Sequence, residues 1–182
     1  MDKRLHTLWL AAFALCMLSS TAQAQSIYAG LLGGYAATTE KHQSVEAYGG
    51  AIGASAGLTL PIVPIYLGAR FLWFLGDTGT VAALELNRHY VLYGVDLGYD
   101  AILGPLVLRP SLSVGRATLE NSIKASGLTL SSNDSSLYIA PGIGLVVKLL
   151  LVYVGVELRY NVLTASKQFD SASLLASAGL TI

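Results

Sequence analysis

Residues 152–162 read Val-Tyr-Val-Gly-Val-Glu-Leu-Arg-Tyr-Asn-Val, and two chemically different faces alternate along them. Val152, Val154, Val156, Leu158, Tyr160 and Val162 form one face, and Tyr153, Gly155, Glu157, Arg159 and Asn161 form the other. Successive side chains of a strand point to opposite sides of a sheet, so this period of two predicts a β-strand whose two faces meet different surroundings. The apolar face carries no charge over six positions, whereas the other mixes glycine with an acid and a base.

The same alternation runs outward in both directions. On the C-terminal side Ala172, Leu174, Ala176, Ala178, Leu180 and Ile182 oppose Ser171, Ser173, Ser177, Gly179 and Thr181. On the N-terminal side Leu137, Ile139, Pro141, Ile143, Leu145 and Val147 alternate with Tyr138, Ala140, Gly142, Gly144 and Val146. Further back, Leu108, Pro110, Leu112 and Val114 oppose Val107, Arg109, Ser111, Ser113 and Gly115. Val91, Tyr93, Val95, Leu97 and Tyr99 oppose Arg88, Gly94, Asp96, Gly98 and Asp100. Ile65, Leu67, Ala69, Phe71, Trp73 and Leu75 oppose Tyr66, Gly68 and Arg70, and Tyr48, Ile52, Ala54, Ala56, Leu58 and Leu60 oppose Gly49, Ala51, Gly53, Ser55, Gly57 and Thr59. With residues 27–37 in front, the count is eight strands.

Short and long connections alternate. The turns near 61–64, 102–105 and 148–150 are short, and the segments near 38–45, 76–87, 119–135 and 163–170 are longer and polar. This is the order of a transmembrane barrel with both termini on the short-turn, periplasmic side. The long segments hold much of the charge, including Glu40, Lys41, Asp77, Glu85, Glu120, Lys124, Asp134, Lys167 and Asp170. Tyr35, Tyr48, Trp73 and Tyr160 fall near the outer ends of the apolar face and Tyr99 near a periplasmic end, as interfacial girdles require.

Composition agrees. Of 182 residues 53% are hydrophobic and 12% charged, against roughly 25% charged in a soluble domain. The net charge is zero, which offers no basic field for nucleic acid. One cysteine, Cys16, excludes a disulfide framework and multi-cysteine metal sites. Residues 1–24 read as a secretory signal peptide, with Lys3 and Arg4 ahead of an apolar stretch at 8–18 and Ala22-Gln23-Ala24 as the cleavage site. Leu15, where a lipoprotein has a small residue, speaks against acylation of Cys16. Residues 25–182 then form a single cysteine-free barrel domain.

Two rivals fail on physical grounds. Residues 47–69 lack charge and repeat glycine at 49, 53 and 57, as packed membrane helices do. They also hold five glycines and two prolines, at about 1 and about 3 kcal/mol each within a helix. A soluble barrel would turn the apolar face inward and leave a face of Gly, Ala and Ser with few charges in water, a poor surface for solubility.

The alternating strands, the long outer segments and the Gly-rich opening strand Tyr28-Ala-Gly-Leu-Leu-Gly-Gly-Tyr35 resemble the small outer-membrane β-barrel superfamily, which includes the OmpA membrane domain and the OmpX-like and opacity-like proteins. The resemblance spans residues 25–182 and rests on architecture. It implies a monomeric, all-β, eight-stranded antiparallel up-and-down transmembrane barrel in the outer membrane of a Gram-negative bacterium. Its partners would be outer-membrane lipid, the barrel assembly machinery and a surface ligand held by the outer loops. Such barrels commonly end on an aromatic residue, and this chain ends Leu180-Thr181-Ile182.

An eight-stranded barrel is barely wide enough for its own side chains. Arg70, Asp96, Arg109, Glu157 and Arg159 all fall on the inner face, where buried charges need partners, so they are expected to form a structural ion-pair network filling the barrel. A small ion-conducting path in which those pairs switch partners is the alternative. A lipid A-modifying enzyme is the further alternative, through His42, Ser44 and Glu46, a weak signal lacking an oriented nucleophile and oxyanion donors. With His42 and His89 the only histidines after residue 24 and no cysteine there, no metal or other cofactor is expected. The chain therefore reads as a non-enzymatic outer-membrane barrel with a structural or surface-interaction, adhesion-like role.

Overall fold

The computed structural model describes residues 26–39, 48–76, 78–81, 84–125, 128–164 and 170–182. The expected signal peptide and its cleavage site lie outside these residues, as do His42, Ser44 and Glu46. Ten strands follow one another: β1 Ser26–Thr38, β2 Gly49–Thr59, β3 Ile65–Phe74, β4 Thr78–Val81, β5 Leu84–Tyr99, β6 Ala101–Leu103, β7 Leu106–Ala125, β8 Leu128–Leu149, β9 Val152–Leu163 and β10 Ser171–Thr181. All pair antiparallel. β1 pairs with β2 on one side and β10 on the other, from Tyr28↔Thr181 to Thr38↔Ser171, which closes the sheet. The barrel wall has eight staves, β1, β2, β3, β5, β7, β8, β9 and β10, with β6 continuing the β5 stave past a break at Asp100. Closure leaves no strand edge in the wall, the condition for crossing lipid with strands. Among the described residues no helix is long and apolar enough to cross a membrane.

Burial follows the two-residue period. On β9 the odd-numbered Tyr153, Arg159 and Asn161 turn inward, while Val152, Val154, Val156, Leu158 and Tyr160 are exposed outside. Tyr35 and Trp73 are likewise exposed near the long-hairpin end. Arg116, exposed on the outside of β7 opposite Tyr93 and Leu137, ends the run of apolar residues that begins at Leu106.

Two expectations are corrected. Tyr48 is fully buried, stacked on Tyr90 at 5.0 Å and edge-on to Phe74 at 5.2 Å, and does not join the outer girdle. Gly49, at φ 111, takes a conformation open to glycine and breaks the alternation there, so the parity of β2 does not extend to Tyr48. The segments 76–87 and 119–135 are also strand rather than loop for most of their length. β4 pairs with β5 from Thr78↔Asn87 to Val81↔Leu84, and β7 with β8 up to Ala125↔Leu128. Backbone pairing in a hairpin does not require an apolar face, so these largely polar segments form strand all the same.

These extensions make the barrel uneven. β9 pairs with β8 only as far as Tyr138↔Leu163, and β3 with β5 only as far as Phe74↔Tyr90. Beyond that rim a sheet in the order β4-β5-β7-β8 continues. Its β8 strand runs from residue 128 to 137 past the last β9 partner, about 30 Å measured along the strand at roughly 3.3 Å per residue.

Candidate functional site

The lumen is the one place where charge is concentrated inside the fold, and glycine placement creates the room for it. Each ion of the central lumen, and Arg109, has a glycine as a ladder partner on a neighbouring stave. Arg70 pairs with Gly94, Asp96 with Gly68, Arg109 and Glu157 with Gly144, and Arg159 with Gly142. Four of the inward tyrosines obey the same rule: Tyr28 is beside Gly57, Tyr66 beside Gly98, Tyr153 beside Gly179 and Tyr138 beside Gly115. Each hydrogen atom opposite a large group is space that a Cβ would take.

In the middle of the lumen four charges close a ring. Arg70 Nε donates to both oxygens of Asp96, at 2.9 and 2.7 Å, tying β3 to β5. The other end of the same guanidinium crosses to Glu157 on β9, at 3.1 Å from Nη1 to Oε1 and 3.3 Å from Nη2 to Oε2. Arg159 Nε pairs with Glu157, and Arg159 Nη1 lies 3.6 Å from Asp96 Oδ1, completing the circuit. Ser113 on β7 donates to Asp96 and accepts from Arg159 Nη1, while Ser111 accepts from Arg159 Nη2 at 3.2 Å. Two guanidiniums and two carboxylates alternate, so the ring is neutral, and each ion has two opposite neighbours. Asp96 and Arg159 are almost wholly buried. Deleting one member of such a set leaves an uncompensated buried charge, which is far costlier than the set is stabilising.

Arg109 is not in this ring. It pairs instead with Asp100, Nε to Oδ1 at 2.5 Å and Nη2 to Oδ2 at 2.9 Å, and Thr59 donates to the same carboxylate at 2.7 Å. Its guanidinium sits over the rings of Tyr66, at 3.7 Å, and Tyr28, at 4.6 Å. Asp100 falls on the inner face in the alternation, outside the set of five expected to pair. The usable signal is position: Asp100 follows the last residue of β5, and Arg109 is the fourth residue of β7 on the adjoining stave.

On either side of the ring large apolar and aromatic side chains form packed clusters, which the reading of the inner face as Gly, Ser and charge missed. Toward the short-turn end Tyr28, Tyr66, Tyr153, Val107 and Val146 pack together, with Tyr28 edge-on to Tyr66 at 5.9 Å and to Tyr153 at 5.5 Å. Toward the long hairpins a larger cluster includes Leu32, Leu72, Leu92, Tyr138, Leu175, Tyr48, Phe74 and Tyr90. Asn161 donates to Ser171 and Ser173 within that half. Between the layers a cavity of about 30 Å³, lined among others by Tyr28, Ser55, Arg70, Arg109 and Glu157, has the volume of about one water molecule. Apart from that cavity, the described side chains of the lumen pack into two clusters, one on each side of the ring. Among the described residues no group of three or more His, Cys, Asp and Glu could hold a metal ion.

No protein-family profile matches the chain. No curated protein matches it either. Solved structures do match. Ail, the attachment invasion locus protein of Yersinia pestis, superposes at a TM-score of 0.58 and 13% identity, covering 87% of this chain and 97% of that one. Neisserial surface protein A (NspA) superposes at 0.56 and 16% identity, over 89% of this chain and 98% of that one. The N-terminal β-barrel domain of Pseudomonas aeruginosa OprF does so at 0.54 and 17% identity, over 86% and 97%. A further structure of Ail holds the heparin analogue sucrose octasulfate. The chain has the fold of the small eight-stranded outer-membrane β-barrels, of the OmpA and OmpX-like kind.

Proposed function

We propose that the chain is a non-enzymatic outer-membrane barrel that holds a surface-interaction sheet above the bilayer on a closed, self-neutralised plug. The observation that carries this reading is the sheet β4-β5-β7-β8, which continues past the rim of a lumen already filled by its own side chains. With the interior occupied, function falls to the surface. The ring of Arg70, Asp96, Glu157 and Arg159 ties β3, β5 and β9 together across the barrel and serves rigidity rather than passage. A rigid base lets a projecting sheet present a fixed surface at lower entropic cost to a partner.

Charge narrows the partner. The stretches 38–47, 76–89, 119–135 and 163–170 together carry seven acidic residues, Glu40, Glu46, Asp77, Glu85, Glu120, Asp134 and Asp170, against Lys41, Arg88, Lys124 and Lys167. A net negative outer surface repels polyanions and suits a neutral or basic protein surface. The sulfated sugar bound by Ail is thus a poor guide to this chain's ligand. The test is adhesion of cells displaying the chain to immobilised host proteins, compared with a variant in which residues 119–135 are replaced by an Asn-Gly turn. Loss of adhesion with unchanged heat-modifiable gel migration supports the reading, and equal adhesion by both overturns it.

A further inference from the structure

The short-turn end of the barrel is apolar where it is expected to meet water. Its turns read Leu60-Pro-Ile-Val-Pro64, Leu103-Gly-Pro-Leu106 and Leu149-Leu-Leu-Val152. Ile62 is 90% exposed, Leu150 97%, Leu151 68% and Ile182 78%, with Val63 and Leu103 also exposed. The two ionisable residues beside these turns face inward and are engaged: Asp100 holds Arg109, and Lys148 lies over the Tyr28 ring with its amine 3.5 Å from Ser26 Oγ. Contiguous apolar surface of this kind on a water-facing end marks an interaction site.

We propose that this end is set into the inner leaflet, its turns acting as lipid anchors at the boundary between acyl chains and headgroups. The surface is continuous with the barrel's lipid-facing belt. On β9 the outward residues Val152 to Val162 form that belt, and ten residues tilted by about 40° span roughly 25 Å, the height of the apolar band in such barrels. Val152 thus lies at the lower boundary, and Leu150 and Leu151 lie one step beyond it. At the opposite boundary Tyr35, Trp73, Tyr160 and Arg116 supply the aromatic and cationic residues that favour an interface. At the short-turn end, apart from Tyr99, aliphatic turns stand where that girdle would be. The phospholipid of the inner leaflet is the occupant that this continuity favours over a second protein.

The inference rests on the membrane-spanning reading, and its test separates the two. In the full chain carrying Cys16→Ser, single cysteines replace Ile62, Leu150, Val156 in the belt and Asp134 on the projecting sheet, each spin-labelled in phosphatidylethanolamine and phosphatidylglycerol vesicles. Collision with oxygen, which partitions into lipid, is compared with collision with a water-soluble nickel chelate. Labels at 62 and 150 should favour oxygen at least fivefold over the label at 134. Equal chelate access at 62, 150 and 134 overturns the anchoring, as does shielding from both reagents with spin–spin coupling, which would place a second copy there. Chelate access at 156 overturns the membrane-spanning reading itself. Heat-modifiable migration verifies that each variant is folded, and Leu103→Cys substitutes for a position that fails.

Discussion

Gly142 stands directly opposite Arg159 in the β8–β9 ladder, and a Cβ at position 142 would lie 2.7 Å from Arg159 Cγ. The relation explains how a narrow barrel holds long charged side chains: the stave beside each one gives up its own side chain. Gly142→Val should therefore push Arg159 out of the ring and destabilise the barrel by about 1–3 kcal/mol, the usual range for overpacking. Gly144→Ala is the control, because a Cβ there meets its nearest neighbours at 3.7–3.8 Å, ordinary contact. Urea unfolding in lipid vesicles should show the first variant shifted to lower midpoint and the second nearly unchanged.

The ring itself predicts non-additivity. Asp96→Leu leaves the buried guanidiniums of Arg70 and Arg159 to share Glu157 alone and should cost about 3–5 kcal/mol. Glu157→Met alone should cost less, since Glu157 is the more exposed carboxylate, with 16% side-chain exposure against none for Asp96. Combining Asp96→Leu with Arg70→Met removes an opposite pair together and should recover much of the loss. A double-mutant cycle by reversible unfolding measures the coupling, and additive single-site costs would show that the ring is not a unit.

The outer face was legible because lipid asks one thing of every outward position, so Val152 to Val162 or Ile65 to Leu75 announce their strands by alternation alone. The inner face answers to several neighbours at once. Leu72, Leu92 and Leu175 are as buried in the lumen as the charges are, and nothing in a strand's own alternation tells an apolar plug layer from a polar one. Sharing of the inner face by Arg70, Asp96, Arg109, Glu157 and Arg159 was readable, but their pairing was not: the first, second, fourth and fifth meet, whereas Arg109 pairs with Asp100, because shear between staves sets heights that a linear sequence does not display. The projecting strands escaped for the opposite reason, since their sequence is rich in polar residues and was read as loop, while backbone pairing alone defines them as strand.

Arg109 should tolerate lysine poorly. Its planar fork meets both oxygens of Asp100 while lying over Tyr66 and Tyr28. A lysine keeps the charge but forfeits the second hydrogen bond and the flat contact. Arg109→Lys should cost about 1–2 kcal/mol in the same unfolding assay. Near-native stability would mean that charge alone suffices at the short-turn end.

Conductance offers the sharpest test of the closed plug. Two packed apolar layers flank the charged ring, Tyr28, Tyr66 and Tyr153 on one side and Leu32, Leu72, Leu92, Tyr138 and Leu175 on the other. An ion crossing the lumen would have to shed its water in each layer, where Leu32, Leu72, Leu92 and Leu175 on one side offer no replacement for the lost hydration and Arg109 on the other is already held by Asp100. Breaking the ring by Glu157→Ala therefore opens no path on its own. Planar-bilayer recordings should show no resolved steps for the native chain or for this variant, while Tyr66→Ala combined with Leu72→Ala and Glu157→Ala should introduce them. Steady steps from the native chain would make the ring a gate rather than a brace, and would return the small ion-conducting reading to first place.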